Sequence, residues 1–203
     1  MKKLCNVLFV VFIAIFAMTS CSQDSLLDDG EELNVVHGIE LRGHELANNL
    51  LASFENGKVA LGDSSSDEIG QVKIIDESVD AAFCALFSGF TASNMTYDFK
   101  TLTSNVATVI YGDNVSICGR YNTGSGSVIS TNYNFVGPNG TPIWGAVQAT
   151  YNSRSGDSGA VIYTTTGHDI AGMHSAGITA NGVKTAVFIP ASSINSKLSL
   201  TMD

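Results

Sequence analysis

Short apolar runs, each cut off by Gly, Asn, Asp or Ser, dominate the sequence after residue 32 and restrict what the chain can become. They lie at 33–41, 59–62, 70–75, 81–87, 106–111, 115–119, 127–132, 145–149, 160–163, 170–174 and 185–189. Runs this short at this spacing read as strands that reverse at turn residues, and many of them together make an all-β sandwich or barrel. The 20 glycines supply the tight reversals that such a layout needs. Helical patterning is confined to 45–54 and 191–200, the latter opened by the pair Ser192-Ser193. No internal repeat is strong enough for a solenoid.

The chain can bury a sizeable core, since 44% of its residues are apolar and only 14% are charged. That balance excludes a disordered chain. The formal charge of −9 argues against a nucleic-acid partner, which calls for a basic patch, and suits a soluble acidic surface.

The first residues read as a targeting segment. A basic start, Met1-Lys2-Lys3, precedes an apolar stretch over 8–17 and the small pair Thr19-Ser20. The stretch is short for a membrane span and has the layout of a secretory signal. Its tail, Met18-Thr19-Ser20-Cys21, resembles a bacterial lipobox, which implies cleavage after residue 20 and lipidation of Cys21. The alternative is an ordinary signal cut nearby. With several acyl chains on Cys21 the protein would be anchored stably, in the cell envelope at the outer membrane or cell surface. Residues 21–32 are polar and acidic and read as a tether. Beyond them only Cys84 and Cys118 remain, which export would allow to bond and which serve equally well as buried thiols. Without a Cys-x-x-Cys or a His-Cys cluster, neither a metal nor another cofactor is expected.

The chemistry begins with Gly156-Asp157-Ser158-Gly159. By itself the tetrad is turn vocabulary. Two earlier segments change its weight: Asp80 opening the apolar strand Ala81-Ala82-Phe83-Cys84, and the run from Gly112 to Val128 that contains Thr123-Gly124 and Val128. With Ile170-Ala171-Gly172-Met173-His174-Ser175-Ala176-Gly177 after the tetrad, this ordered set resembles the chymotrypsin-fold serine proteases of the small bacterial, streptogrisin-like type, over residues 70–190. The resemblance implies two antiparallel β-barrels, an abbreviated N-terminal one over 33–105 and a C-terminal one over 106–203 that ends in a short helix. It also implies a peptide or protein substrate.

Carried onto these positions, the resemblance makes Ser158 the nucleophile, Asp80 the orienting carboxylate and the N–H groups of Gly156 and Ser158 the oxyanion hole. A serine hydroxyl needs a base to take its proton, and a carboxylate to hold that base in the right tautomer. The family's histidine precedes its aspartate, so His44, in Arg42-Gly43-His44, is the preferred base and His37 the second candidate. Asp157 is expected to pair with Arg120, because small bacterial members use an internal arginine there. The specificity pocket is expected from Asn152, Ser155, His174, Ser175 and Gly177. No acid falls at its floor, which argues against a preference for Lys or Arg. His174 matches a histidine of glutamate-specific members, so that it and Ser155 could take an acidic P1 side chain; a strand histidine bonded inside the barrel is the alternative. Trp144 and Tyr151 are expected in packing or at the pocket rim. The competing function is a catalytically inactive homologue serving as a cell-surface binding module.

Overall fold

Strands β1 (Lys58–Ala60), β2 (Glu68–Asp76) and β3 (Ala81–Leu86) form one antiparallel sheet in sequence order. Strands β4 (Asn114–Cys118), β5 (Thr123–Val136), β6 (Pro142–Ala149), β7 (Val161–Thr164), β8 (Ile170–Ala180) and β9 (Val183–Pro190) close a six-stranded barrel in the order β4-β5-β6-β9-β8-β7. One helix, α1 (Ala191–Lys197), follows directly. The computed structural model describes residues 58–60, 68–88, 93–96, 98–137, 140–180 and 182–200. The expected strand at 33–41, the expected helix at 45–54, the signal and the tether lie outside these residues.

Alternation along the strands builds the barrel. In β4, Val115 and Ile117 point into the core with Val128, Val147, Tyr151, Ile162 and Phe188. Ser116, between them, faces the other way, and its hydroxyl is bonded to those of Ser125 and Thr165, each at 2.9 Å. Residues 186–189 of β9 are apolar on both faces because both are covered there. Ala186 and Phe188 enter the barrel core, whereas Val187 and Ile189 enter a second cluster with Ile143, Met173, Ile194 and Leu198. Val79 and Ala81, which flank the start of β3, belong to that second cluster. The three-stranded sheet is thereby seated on the barrel at the point where Asp80 sits.

Two glycines are dictated by close approach. A Cβ on Gly126 in β5 would lie 2.1 Å from the Tyr151 nitrogen, and one on Gly172 in β8 would lie 2.1 Å from the Ile189 oxygen. Neither strand could pass its neighbour with a side chain there.

Several elements differ from expectation. Strand β5 is 14 residues long, beyond the expected 127–132, and its register against β6 shifts at three places, so a polar stretch continues as a bent strand around the barrel. Residues 106–111 form no strand; they touch β8 through one parallel bridge, Val106 to Ile170. Helix α1 starts at Pro190 with no side-chain cap, so Ser192 and Ser193 lie inside its first turn instead of capping it.

Candidate active site

Asp80 is placed by a tight turn. Asp76 caps a 3-10 turn over Glu77–Val79 by accepting from the Ser78 nitrogen at 2.9 Å, and Asp80 ends that turn in the left-handed region, at φ 48 and ψ 44. Burial of Val79 and Ala81 on either side keeps this uncommon conformation in place. The carboxylate points at β8, where the Ser175 hydroxyl donates to Oδ2 at 2.8 Å. Asp80 is only 7% exposed. Burial pushes its pKa up to about 7, against the smaller lowering effect of the Ser175 bond.

Ser158 stands in a loop that leans on the same strand. The Gly159 nitrogen donates to the His174 oxygen at 2.9 Å, and the His174 nitrogen donates to the Ala160 oxygen at 2.8 Å. The Ser158 hydroxyl makes a long contact, 3.4 Å, to the Ser175 oxygen. One residue therefore holds both groups: Ser175 bonds Asp80 through its hydroxyl and receives Ser158 at its carbonyl. Gly156 adopts φ +92, a conformation that favours glycine.

Asp157 corrects an expectation. Its carboxylate accepts from the Tyr121 nitrogen (2.7 Å), the Asn122 nitrogen (3.3 Å), Asn122 Nδ2 (2.6 Å) and the Arg154 nitrogen (3.1 Å), not from Arg120. The Arg120 guanidinium lies instead over the Tyr121 ring, 5.0 Å from its centre. Burial alone would raise the Asp157 pKa, but these neutral donors outweigh it and hold it below the usual carboxylate value. The turn after Gly119 thus supplies amide hydrogens in place of a cation. Gly119 has to be small, since a Cβ there would lie 2.7 Å from Asp157 Oδ1.

The expected pocket residues divide into two groups. Asn152, Ser155 and Gly177 are exposed, and a Cβ on Gly177 would lie 3.3 Å from Ser153 Oγ, so these two segments face each other. Ser175, expected in the pocket wall, turns its hydroxyl onto Asp80 instead. The sequence carries no signal for this, because a register shift in β8 between His174 and Ala176 breaks the simple alternation of strand side chains. His174 is 2% exposed, with Nδ1 2.9 Å from the Tyr151 hydroxyl and its ring edge-on to the Tyr151 ring. Burial lowers its pKa to about 4, outweighing the raising effects of Asp157 and of the Val187 backbone. It is a neutral imidazole at ordinary pH. Tyr151 packs in the core as expected, whereas Trp144 is 72% exposed. Cys84 and Cys118 are not joined in a disulfide, and burial pushes Cys84 up to about 11. Cys21, His37 and His44 lie outside the described residues.

No protein-family model matches the sequence, and no curated protein matches it. Solved structures do. A glutamic-acid-specific serine protease, described as using a histidine triad in substrate binding, superposes with a TM-score of 0.62 at 21% identity, over 73% of this chain and 80% of that one. The fold is the chymotrypsin fold. Protease A of Thermobifida fusca aligns at TM-score 0.59 and 22% identity, over 72% of this chain and 77% of its own. Cellulomonas bogoriensis chymotrypsin aligns at 0.57 and 21%, over 66% and 75%. The chymotrypsin-fold barrel, its loop at 156–159 and the turn before β3 bring Asp80, Ser158 and Ser175 together from segments far apart in sequence.

Proposed function

We propose that this chain is a serine endopeptidase that hydrolyses peptide bonds through an acyl-enzyme on Ser158. The observation that carries this reading is Ser175, which holds the Ser158 hydroxyl and the Asp80 carboxylate on one residue of β8. An imidazole between them would take the Ser158 proton as Oγ attacks the carbonyl carbon, and pass it to the departing amine. Water would then attack the ester and return Ser158 with its proton. Of the four histidines, His174 is committed to Tyr151 and His168 stacks edge-on against Tyr163, which leaves His44, or His37, as the base. The N–H groups of Gly156 and Ser158 would receive the oxyanion, where one donor is worth about 10²–10³ in rate.

An acidic P1 preference forms part of the proposal. It rests on the matched positions of His174 and Ser155 and on the stated specificity of one structural neighbour. His174 is neutral and its ring bonds the Tyr151 hydroxyl and the Val187 backbone, so it would shape the pocket from behind and bring no charge to it. Lipid anchoring through Cys21, and residence in the cell envelope, are proposed from the lipobox-like sequence alone.

A fluorophosphonate probe on the purified protein tests the central claim. Labelling is expected, and should vanish in Ser158→Ala and in the variant of the true base, His44→Ala or His37→Ala. Folded protein that takes no label would overturn the peptidase reading in favour of the inactive binding module. Peptide profiling then tests P1: equal cleavage after Leu and Glu would reject the acidic preference.

A further inference from the structure

Only three arginines occur in the sequence, and two of them, Arg120 and Arg154, meet on one aromatic ring. Their guanidinium carbons lie 5.0 and 4.5 Å from the centre of Tyr121. The ring itself abuts the nucleophile loop, since a Cβ on Gly156 would lie 2.5 Å from Tyr121 Cε2. Arg120, Tyr121 and Arg154 are all exposed. The contacts seen for both guanidinium groups are with the Tyr121 ring. Asp157, the nearest acid along the chain to Arg154, spends its oxygens on backbone and amide donors. Two like charges held on one ring repel each other, and a solvent-facing anion beside them relieves that repulsion.

The position of this pair sets what it can read. Ser158 and Gly159 lean on β8, where Ser153 and Gly177 face each other across the expected pocket. Gly156 and Asp157 instead contact the turn that carries Arg120 and Tyr121. With the acyl side of a peptide on the β8 flank, the Tyr121 flank of the tetrad is the one open to its leaving-group side in the proposal that follows.

We infer that Arg120 and Arg154, stacked on Tyr121, recognise an acidic side chain in the first two residues after the scissile bond. This rests on the peptidase reading and adds a second specificity element to it, separate from His174. Guanidinium groups suit carboxylates because their planar donors can bond both oxygens.

The test uses internally quenched peptides that differ only in those two residues, as Ala-Ala, Glu-Glu or Lys-Lys, with the purified full chain. At low salt, kcat/KM is expected to favour Glu-Glu over Ala-Ala by about fivefold, the size that exposed ion pairs supply, with Lys-Lys the poorest. The preference should shrink at about 0.5 M salt, where exposed charges are screened. It should disappear in the Arg120→Gln, Arg154→Gln double variant and persist in part in the corresponding Lys variants. A ring clamp with a purely structural role would move none of these ratios. Equal cleavage of Glu-Glu and Ala-Ala, a preference indifferent to salt, or one that survives the Gln variants overturns the inference. The salt series on the unaltered protein decides the matter even if the double variant does not fold. Cleavage without discrimination rejects this inference alone, whereas no cleavage and no probe labelling rejects the peptidase reading with it.

Discussion

Asp80 is the residue whose environment most departs from what its type prefers. Its folded-state pKa is raised from 3.8 to about 7, so the folded protein binds this proton more tightly than the unfolded chain. Stability from that proton is complete below the unfolded value and is lost as pH rises through about 7. Asp80→Asn removes the ionisation while keeping an acceptor for the Ser175 hydroxyl. The variant should therefore gain stability relative to wild type between pH 4 and pH 8, by an amount on the order of 3 kcal/mol. Urea unfolding at both pH values measures it. The same variant should lose about 10⁴ in kcat, since an amide favours the wrong imidazole tautomer. A variant that lost stability at pH 8 would contradict the burial argument. The sequence made Asp80 visible through the apolar strand behind it. It did not show Ser175, whose role depends on which face of β8 meets the turn before β3.

At the level of elements, helix α1 and the 3-10 turn at Glu77–Val79 matter more than their lengths suggest. Ile194 and Leu198 are buried against Val79 and Ala81, the two neighbours of Asp80, together with Met173 and Ile189 from the barrel. Truncating a buried aliphatic residue to Ala typically costs 2–5 kcal/mol. Ile194→Ala is expected to destabilise the protein by about 3 kcal/mol and also to lower turnover, because the cavity loosens the seat of Asp80. Urea midpoints and kcat, taken under conditions where the variant is fully folded, check both effects. Unchanged kcat would show that Asp80 is positioned without this cluster. Most strands were readable from the sequence because their apolar runs stop at turn residues. The full length of β5 was not, because its outward residues are polar and its bends come from register shifts against β6. Residues 106–111 mislead for the opposite reason: an apolar segment can pack beside β8 without joining its ladder.

On the scale of the molecule, the question is whether the three-stranded sheet and the barrel unfold together. They share the cluster that contains Val79, Ala81 and Met173, and the buried bond from Ser175 to Asp80. Cys84, buried in β3, reports on the sheet. With the other cysteines changed to serine, its alkylation should stay slow until the denaturant concentration at which barrel fluorescence changes. Alkylation that sets in well before that point would show a sheet that opens on its own. Trp144 is the single tryptophan, but at 72% exposure it reports little. The buried tyrosines Tyr151 and Tyr163 are better probes of the barrel.

What the sequence determined by itself is the part governed by local rules. Short apolar runs and turn residues specify strands, and a Gly-Asp-Ser-Gly turn after them specifies a serine on a tight loop. The order of these pieces pointed to two barrels. Tertiary structure alone decided which donors reach Asp157, because amide hydrogens of Tyr121 and Asn122 arrive there from a turn some 35 residues earlier. It also decided that Ser175 serves Asp80 and that two arginines share one ring. Such contacts join segments distant in sequence, and their geometry follows from how a closed sheet brings its strands and turns together, which no local pattern encodes.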